Sequence, residues 1–287
     1  MLITGATRGI GRAAAIELAR RGAEIAIVGR EPERVRQTAR EARASGGGAP
    51  VHEHVSDLML MAEVRTLAAE VKSRYGRIDV LANNAGAMFG SRDETSEGLE
   101  RTFALNHLAP FLLTNLLRER LDGGRVVTTA SDAHRGGRLD LDDLQSQRSY
   151  SAMRVYGTSK LSNILFTQEL AKRIAGSGVT ANALHPGAVG THLGQNNGLF
   201  AKALTTLLRP FFLTPTRGAD TSIYLASSPD VEGVSGGQVV KGFFVHGSPS
   251  IVSSSSRSRA RPANMRLLMV PSGSPSRSAS CDWVKPP

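Results

Sequence analysis

The sequence predicts an α/β fold: a single doubly wound parallel sheet of about seven strands, flanked by helices. Three observations predict it. Short apolar runs rich in β-branched residues alternate with helical patterns across residues 1–247. A glycine-rich turn joins the first run to the first helical pattern. Polar clusters follow several later runs, and such a sheet gathers its ligand outside the carboxyl ends of its strands.

The strand-like runs fall at 2–4, 24–28, 51–54, 78–82, 125–129, 179–184 and 238–240. Helical patterns fall between most of them, at 10–21, 32–44, 60–75, 99–121, 156–175 and 215–226. No repeat of the solenoid kind interrupts the series. Residues 1–247 are therefore expected to be one nucleotide-binding domain. Residues 248–287 differ in kind. They are rich in Ser, Arg and Pro, lack a sustained apolar period and are expected to form a disordered tail. Their composition resembles an out-of-frame reading; the alternatives are a genuine extension that binds nucleic acid or anionic lipid, and an idle solvated tail.

Composition narrows the function classes. The chain has 287 residues, of which 40% are hydrophobic, enough for a sizeable core. No run reaches the roughly 18 apolar residues of a membrane span, and no signal-peptide pattern opens the chain. Cys281 is the only cysteine, so no disulfide can form within the chain, and a cytoplasmic location is expected. The net charge is +10, but residues 248–287 hold six Arg or Lys against Asp282 and supply half of it. A basic nucleic-acid-binding body would concentrate that charge on the domain, so no nucleic-acid partner is expected.

The opening MLITGATRGIG puts Gly5, Gly9 and Gly11 after an apolar run and before a helix. Glycines let the backbone approach a pyrophosphate, and the free N–H groups of a helix start face the anion. The alternative is a turn that needs glycine and binds nothing. No carboxylate closes the second run, where a ribose 2′-hydroxyl would be held; Gly29 and Arg30 stand there instead. Arg30, with help from Arg8, suits a 2′-phosphate, because a guanidinium holds phosphate in two-pronged fashion. That favours NADP(H), with NAD(H) the lesser candidate. Glu31 turned inward would oppose it.

Asp57 and Leu58 follow the third run, Asn83, Asn84, Ala85 and Gly86 the fourth, and His185, Pro186 and Gly187 the sixth. Each alone is ordinary turn chemistry. Tyr156 and Lys160 lie four apart on a helical pattern, hence on one face. An ammonium beside a phenol favours the phenolate and suits it to proton exchange at an alcohol or carbonyl oxygen. Ser131 ends the fifth run, where its hydroxyl can bond that same oxygen or simply cap a turn.

Taken in order, TGATRGIG, Asp57-Leu58, NNAG, Ser131, YGTSK and HPG resemble the short-chain dehydrogenase/reductase family, a Rossmann-fold family, over about residues 1–245. NHLAPFLLTNLL, SDAHRGGRLDLDDL and YGTSKLSNILFTQELAKRI look like its retinol-dehydrogenase-like branch, as does the long interval between Ser131 and Tyr156. The resemblance implies a proton-relay tetrad. Tyr156 is its acid/base, Lys160 lowers the tyrosine pKa and binds the nicotinamide ribose, Ser131 polarises the carbonyl and Asn106 holds a relay water. Asn106 can alternatively bond a neighbouring backbone group. The resemblance further implies a pyrophosphate turn at Gly5, Thr7, Arg8, Gly9, Ile10 and Gly11. It implies adenine contacts from Asp57 and Leu58, an adenosine-side loop at Asn83, Ala85 and Gly86, and a nicotinamide side at Pro186, Gly187 and Thr191.

His107, His134 and His185 lack metal-ligand spacing and have no cysteine beside them, so no metal is expected. Two features depart from the family. The first run begins almost at Met1, which makes its strand short and is consistent with a start assigned late, and the tail replaces an ordered ending. The expected substrate is a small alcohol, aldehyde or ketone. The apolar stretch 194–215, a candidate lid, favours a lipid-like one, unless it is packing between helices. A homodimer through the helical patterns at 99–121 and 156–175 is expected by analogy with the family. A non-catalytic NADP(H) sensor is the rival reading; it would not need all four tetrad residues. An epimerase would carry a different glycine turn and a longer substrate domain.

Overall fold

The computed structural model describes residues 1–187, 214–240 and 243–245. Eight strands form one sheet: β1 (Leu2–Thr4), β2 (Ile25–Gly29), β3 (Val51–Val55), β4 (Val80–Asn83), β5 (Arg125–Thr129), β6 (Thr180–His185), β7 (Gln238–Val240) and β8 (Phe243–Val245). Their order is β3-β2-β1-β4-β5-β6-β7-β8. The first seven pair in parallel, and β8 returns antiparallel to β7. The expected count of seven thus missed β8. Only Lys241 and Gly242 separate the two runs, a glycine-bearing interval that is itself a hairpin signal.

The helices are α1 (Gly9–Arg20), α2 (Pro32–Ala44), α3 (Met61–Arg74), α4 (Arg101–Phe103), α5 (Ala109–Leu117), α6 (Ala152–Arg173) and α7 (Pro215–Ser227). Helices on both faces explain why every residue of β1 and β2 is buried: a parallel strand covered twice reads as a continuous apolar run. α1 buries Gly11, Ala14, Ala15, Leu18 and Ala19, the stripe its 3.6-residue period puts on one side. α2 starts on Pro32, whose missing N–H costs nothing in a first turn.

The helix expected at 99–121 is not continuous. Between α4 and α5, Ala104–Leu108 is π-helical, and Arg118–Arg120 closes as a 3₁₀ turn. Pro110 is the sequence reason: it has no N–H to give the carbonyl four residues back, that of Asn106. α6 starts one turn earlier than expected, so that Tyr156 lies inside the helix rather than at its start.

β1 pairs with β2 on one side and with β4 on the other, Leu2 facing both Ala26 and Leu81. The winding therefore reverses between β1 and β4, and the loops after these two strands diverge at the switch point.

Candidate active site

The loop after β1 is the glycine turn. Gly5 and Gly9 take φ of 63° and 53°, conformations that favour glycine. A Cβ on Gly5 would lie 2.7 Å from the Ala85 Cα, and one on Gly11 would lie 2.3 Å from the Asn84 amide nitrogen. Close approach of the β4 loop therefore demands these glycines whether or not a ligand binds. Asn84 makes that approach: its Nδ2 donates to the carbonyls of Thr4 (3.0 Å) and Gly5 (3.2 Å). The Thr4 hydroxyl accepts from the backbone N–H groups of Asn84 (3.0 Å) and Ala85 (3.1 Å). Asn84 and Thr4 are thus positioning groups that sequence reasoning passed over, although NNAG contained one of them.

The same turn fits a pyrophosphate. α1 begins here with no acidic residue in its first turn and no side chain capping its N-terminus. The N–H groups of its first turn lack intrahelical partners by geometry and face outward along the axis, with the positive end of the helix dipole behind them.

At the β2 end, Arg30 stands 3.9 Å from the Asp57 carboxylate. Glu31 lies between two guanidinium groups, 2.8 Å from Arg34 and 3.8 Å from Arg8. Leu58 is buried, and the Asp57 carboxylate accepts from the Met59 N–H. Asn83 is also buried, and its Nδ2 donates to the Thr114 hydroxyl on α5 (2.9 Å). The side chain of Asn83 thus reaches α5, and its Oδ1 is buried without a hydrogen-bond partner.

Asn106, Ser131, Tyr156 and Lys160 come together from three places: the π-helical turn, the end of β5 and α6. Tyr156 and Lys160 point inward from α6 and are nearly inaccessible, at 8% and 2% exposure. Lys160 Nζ donates to the Thr129 carbonyl at the end of β5 (3.0 Å) and lies 5.5 Å from the Tyr156 ring centroid. Burial pulls the Lys160 pKa down to about 8. Burial pushes the Tyr156 phenol up from its ordinary value, and a hydrogen bond with Ser131 works against that rise. In the chain without its cofactor the Tyr156 phenol therefore lies above its ordinary value and keeps its proton at neutral pH.

Gly86 faces this group. A Cβ there would lie 3.2 Å from Asn106 Oδ1 and 3.3 Å from Lys160 Nζ. Asn106 is fully buried. Its side chain accepts from the Ala87 N–H (2.9 Å) and donates to the Ala87 carbonyl (3.0 Å) and to Ser159 Oγ (3.0 Å). The backbone-bonding alternative raised from the sequence is thus what the Asn106 side chain does, while its carbonyl accepts from Asn163 Nδ2 (2.9 Å).

Ser131 caps a 3₁₀ turn, Asp132–Gly136, accepting from the Ala133 N–H (3.3 Å). His185, at the end of β6, grips the neighbouring Asp132 with both ring nitrogens: Nδ1 accepts its N–H (3.3 Å) and Nε2 meets its carboxylate (2.9 Å). The interval between Ser131 and Tyr156 then lies on α6 through two glycines. A Cβ on Gly157 would be 2.5 Å from the Ala133 carbonyl oxygen, and one on Gly137 would be 2.5 Å from the Gly157 oxygen. Gly187 takes a φ of 84°, a turn conformation after β6. Thr191 lies outside the described residues, as does most of the candidate lid. His107 is buried among Phe103, Phe111 and Phe166, bonded to Asn163, and burial lowers its pKa to about 4. No cluster of metal-ligating side chains occurs among the described residues.

Comparison with known proteins agrees with this geometry. Residues 1–200 match the family described as short chain dehydrogenase. A Streptomyces sp. (strain C5) protein with the provisional name daunorubicin C-13 ketoreductase DnrU is 46% identical over 240 residues, 83% of this chain and 81% of its own. Retinol dehydrogenase 14 of Mus musculus is 44% identical over 254 residues, 82% of this chain and 75% of its own. Among solved structures, a short chain dehydrogenase from Burkholderia cenocepacia J2315 in complex with NADP superposes with a TM-score of 0.67. It is 26% identical and covers 83% of this chain and 94% of its own.

Proposed function

This chain belongs to the short chain dehydrogenase family and is an oxidoreductase, and we propose that it moves a hydride between NADP(H) and an alcohol or carbonyl carbon of an apolar substrate. The observation that carries the reading is the buried pair on α6: a phenol and an ammonium one helical turn apart, with Ser131 on the phenol and Thr129 on the ammonium. An ammonium is not buried without benefit to structure or chemistry, and here burial alone weakens its charge.

When bound, the nicotinamide supplies the hydride acceptor or donor and, in its oxidised form, one positive charge beside the phenol. The chain does the rest. The glycine turn and the start of α1 hold the pyrophosphate, and Arg30 and Arg8 bind the 2′-phosphate. Asp57 and Leu58 border the adenine, and the backbone of Asn83 to Gly86 borders its ribose. Pro186 and Gly187 flank the nicotinamide. In carbonyl reduction Tyr156 gives its proton to the substrate oxygen while the Ser131 hydroxyl orients that oxygen. Lys160 stabilises the phenolate left behind. The Asn106 carbonyl has an acceptor site to offer a relay water.

An apolar substrate is supported by Leu139, Leu141 and Met153, which stay exposed on or beside the segment that follows Ser131. The relatives named retinol dehydrogenases and ketoreductase act, by those names, on alcohols and ketones. We further propose that residues 1–247 are the working domain and that it operates in the cytoplasm. We also propose that it pairs with a second copy through α5 and α6, where Leu112, Leu116, Leu161 and Leu165 are only half-buried. No helix among the described residues is long and apolar enough to cross a membrane.

The test is a fluorescence titration with NADPH and with NADH, followed by a carbonyl screen. NADPH should bind tighter, and Arg30→Asp should remove that preference. Tyr156→Phe should bind NADPH like the parent and lose carbonyl reduction by about a hundredfold or more, the scale of general acid catalysis. Equal binding of both cofactors would remove the NADP assignment. Undiminished reduction by Tyr156→Phe would remove the mechanism.

A further inference from the structure

Asn163 is a buried polar residue on α6 that the tetrad does not include, seven residues beyond Tyr156 and three beyond Lys160. Its Nδ2 donates to two backbone carbonyls, that of Asn106 (2.9 Å) and that of Thr129 (3.3 Å). Two carbonyl oxygens on the same side can only be met by the amide's NH₂, so the orientation of the amide is fixed by its surroundings. Its Oδ1 then faces His107 Nδ1 (3.1 Å) and must accept from it. That places the His107 proton on Nδ1. His107 Nε2 has no hydrogen-bond partner, so this ring has no second polar anchor.

Both carbonyls matter to the site. Thr129 O is the acceptor that holds Lys160 Nζ. Asn106 O is the carbonyl that Pro110 leaves without its ordinary helical donor, inside the π-helical turn. A buried carbonyl without a donor is costly, and a lysine with three donors on a flexible stem can turn toward one.

We propose that Asn163 is a positioning residue of this site: by filling the Asn106 and Thr129 carbonyls, it confines the Lys160 ammonium to its place beside Tyr156. The inference rests on the tetrad reading given above. Without the Asn163 amide, two under-satisfied carbonyls compete for the ammonium and draw it from the phenol. Tyr156 then loses charge stabilisation of its phenolate while the glycine turn, on the other side of the switch point, keeps its grip on the cofactor.

The test needs no known substrate. The phenolate absorbance of the NADPH-saturated full chain is titrated against pH, and the same titration of the Tyr156→Phe chain is subtracted to isolate Tyr156 among the four tyrosines. Asn163→Leu removes the donors and keeps the volume. Asn163→Ser is small enough to fit and keeps one hydroxyl donor, enough for one carbonyl. The expected result is an upward shift of the Tyr156 midpoint by about one pH unit in Asn163→Leu, a tenfold loss of phenolate below it. A smaller upward shift is expected in Asn163→Ser, with NADPH affinity within about threefold of the parent in both. Should Asn163→Leu fail to fold, the Asn163→Ser shift decides alone. An unmoved midpoint in a variant that still binds NADPH overturns the inference and leaves the tetrad reading intact. A parent chain that fails to bind NADPH overturns that reading, and the inference with it.

Discussion

Glu31 lies where a 2′-phosphate reader meets its own counter-charge. It pairs with Arg34 at 2.8 Å and lies 3.8 Å from Arg8, and all three side chains are partly exposed. A phosphate arriving beside Arg8 meets this carboxylate. Glu31→Gln should tighten NADPH binding roughly two- to fivefold, the scale of one exposed charge pair, and leave NADH binding unchanged. Equal gains for both cofactors in the fluorescence titration would show that Glu31 does not face the phosphate. Lys160 gives the second prediction. Its folded pKa, about 8, lies below the ordinary 10.5, so the unfolded chain binds more protons between those values. Stability associated with this group is complete above pH 10.5 and lost as pH falls through 8, a penalty of about 3 kcal/mol at neutral pH before its bond to Thr129 is counted. Lys160→Met should therefore abolish carbonyl reduction yet not lower the thermal midpoint at pH 7. Relative to the parent, its midpoint should fall as pH rises from 8 to 10.5. A large loss of stability at pH 7 would mean that the lysine is held mainly for structure.

At the scale of elements, the segment after Ser131 meets α6 through the crossing of Gly137 and Gly157. The Thr158 hydroxyl completes the seam, donating to the Arg138 carbonyl (2.9 Å) and accepting its N–H (3.2 Å). Gly157→Val places carbon against backbone that cannot rotate away, with the Ala133 oxygen only 2.5 Å from its Cβ. The segment must lift, and Ser131 with it. The expected cost is about 1–3 kcal/mol of stability, typical of overpacking, with a loss of turnover and unchanged NADPH affinity. Full turnover in Gly157→Val would show that Ser131 is held independently of the seam, by His185 on Asp132. The spacing of Tyr156 and Lys160 was legible in the sequence because it is one helical turn. The seam was not, since Gly157 in YGTSK reads as an ordinary small residue until the crossing segment is seen above it.

For the whole molecule, His107 contributes to stability against acid. Burial lowers its pKa to about 4 from an ordinary 6.5, so its neutral form is what folds. The unfolded chain binds the proton first: stability is complete above pH 6.5 and is lost as pH falls toward 4, by about 3 kcal/mol. His107→Phe should flatten the fall of the thermal midpoint over that window, and an unchanged slope would assign the acid loss to other groups. The sequence by itself determined the alternation of strands and helices, the glycine turn and the tetrad positions, because each is local: a period, a spacing or a residue type that one segment requires. It missed the antiparallel β8 and the π-helical break, although Gly242 and Pro110 marked both. Only the tertiary structure decided that Asn84 binds the two halves of the switch point together, that Asn83 faces Thr114, that Asn163 feeds the carbonyls of Asn106 and Thr129, and that burial raises the phenol of Tyr156. These are facts about which buried groups share a neighbourhood. They depend on contacts between residues far apart in the chain and on the water those contacts exclude, and no local pattern encodes them.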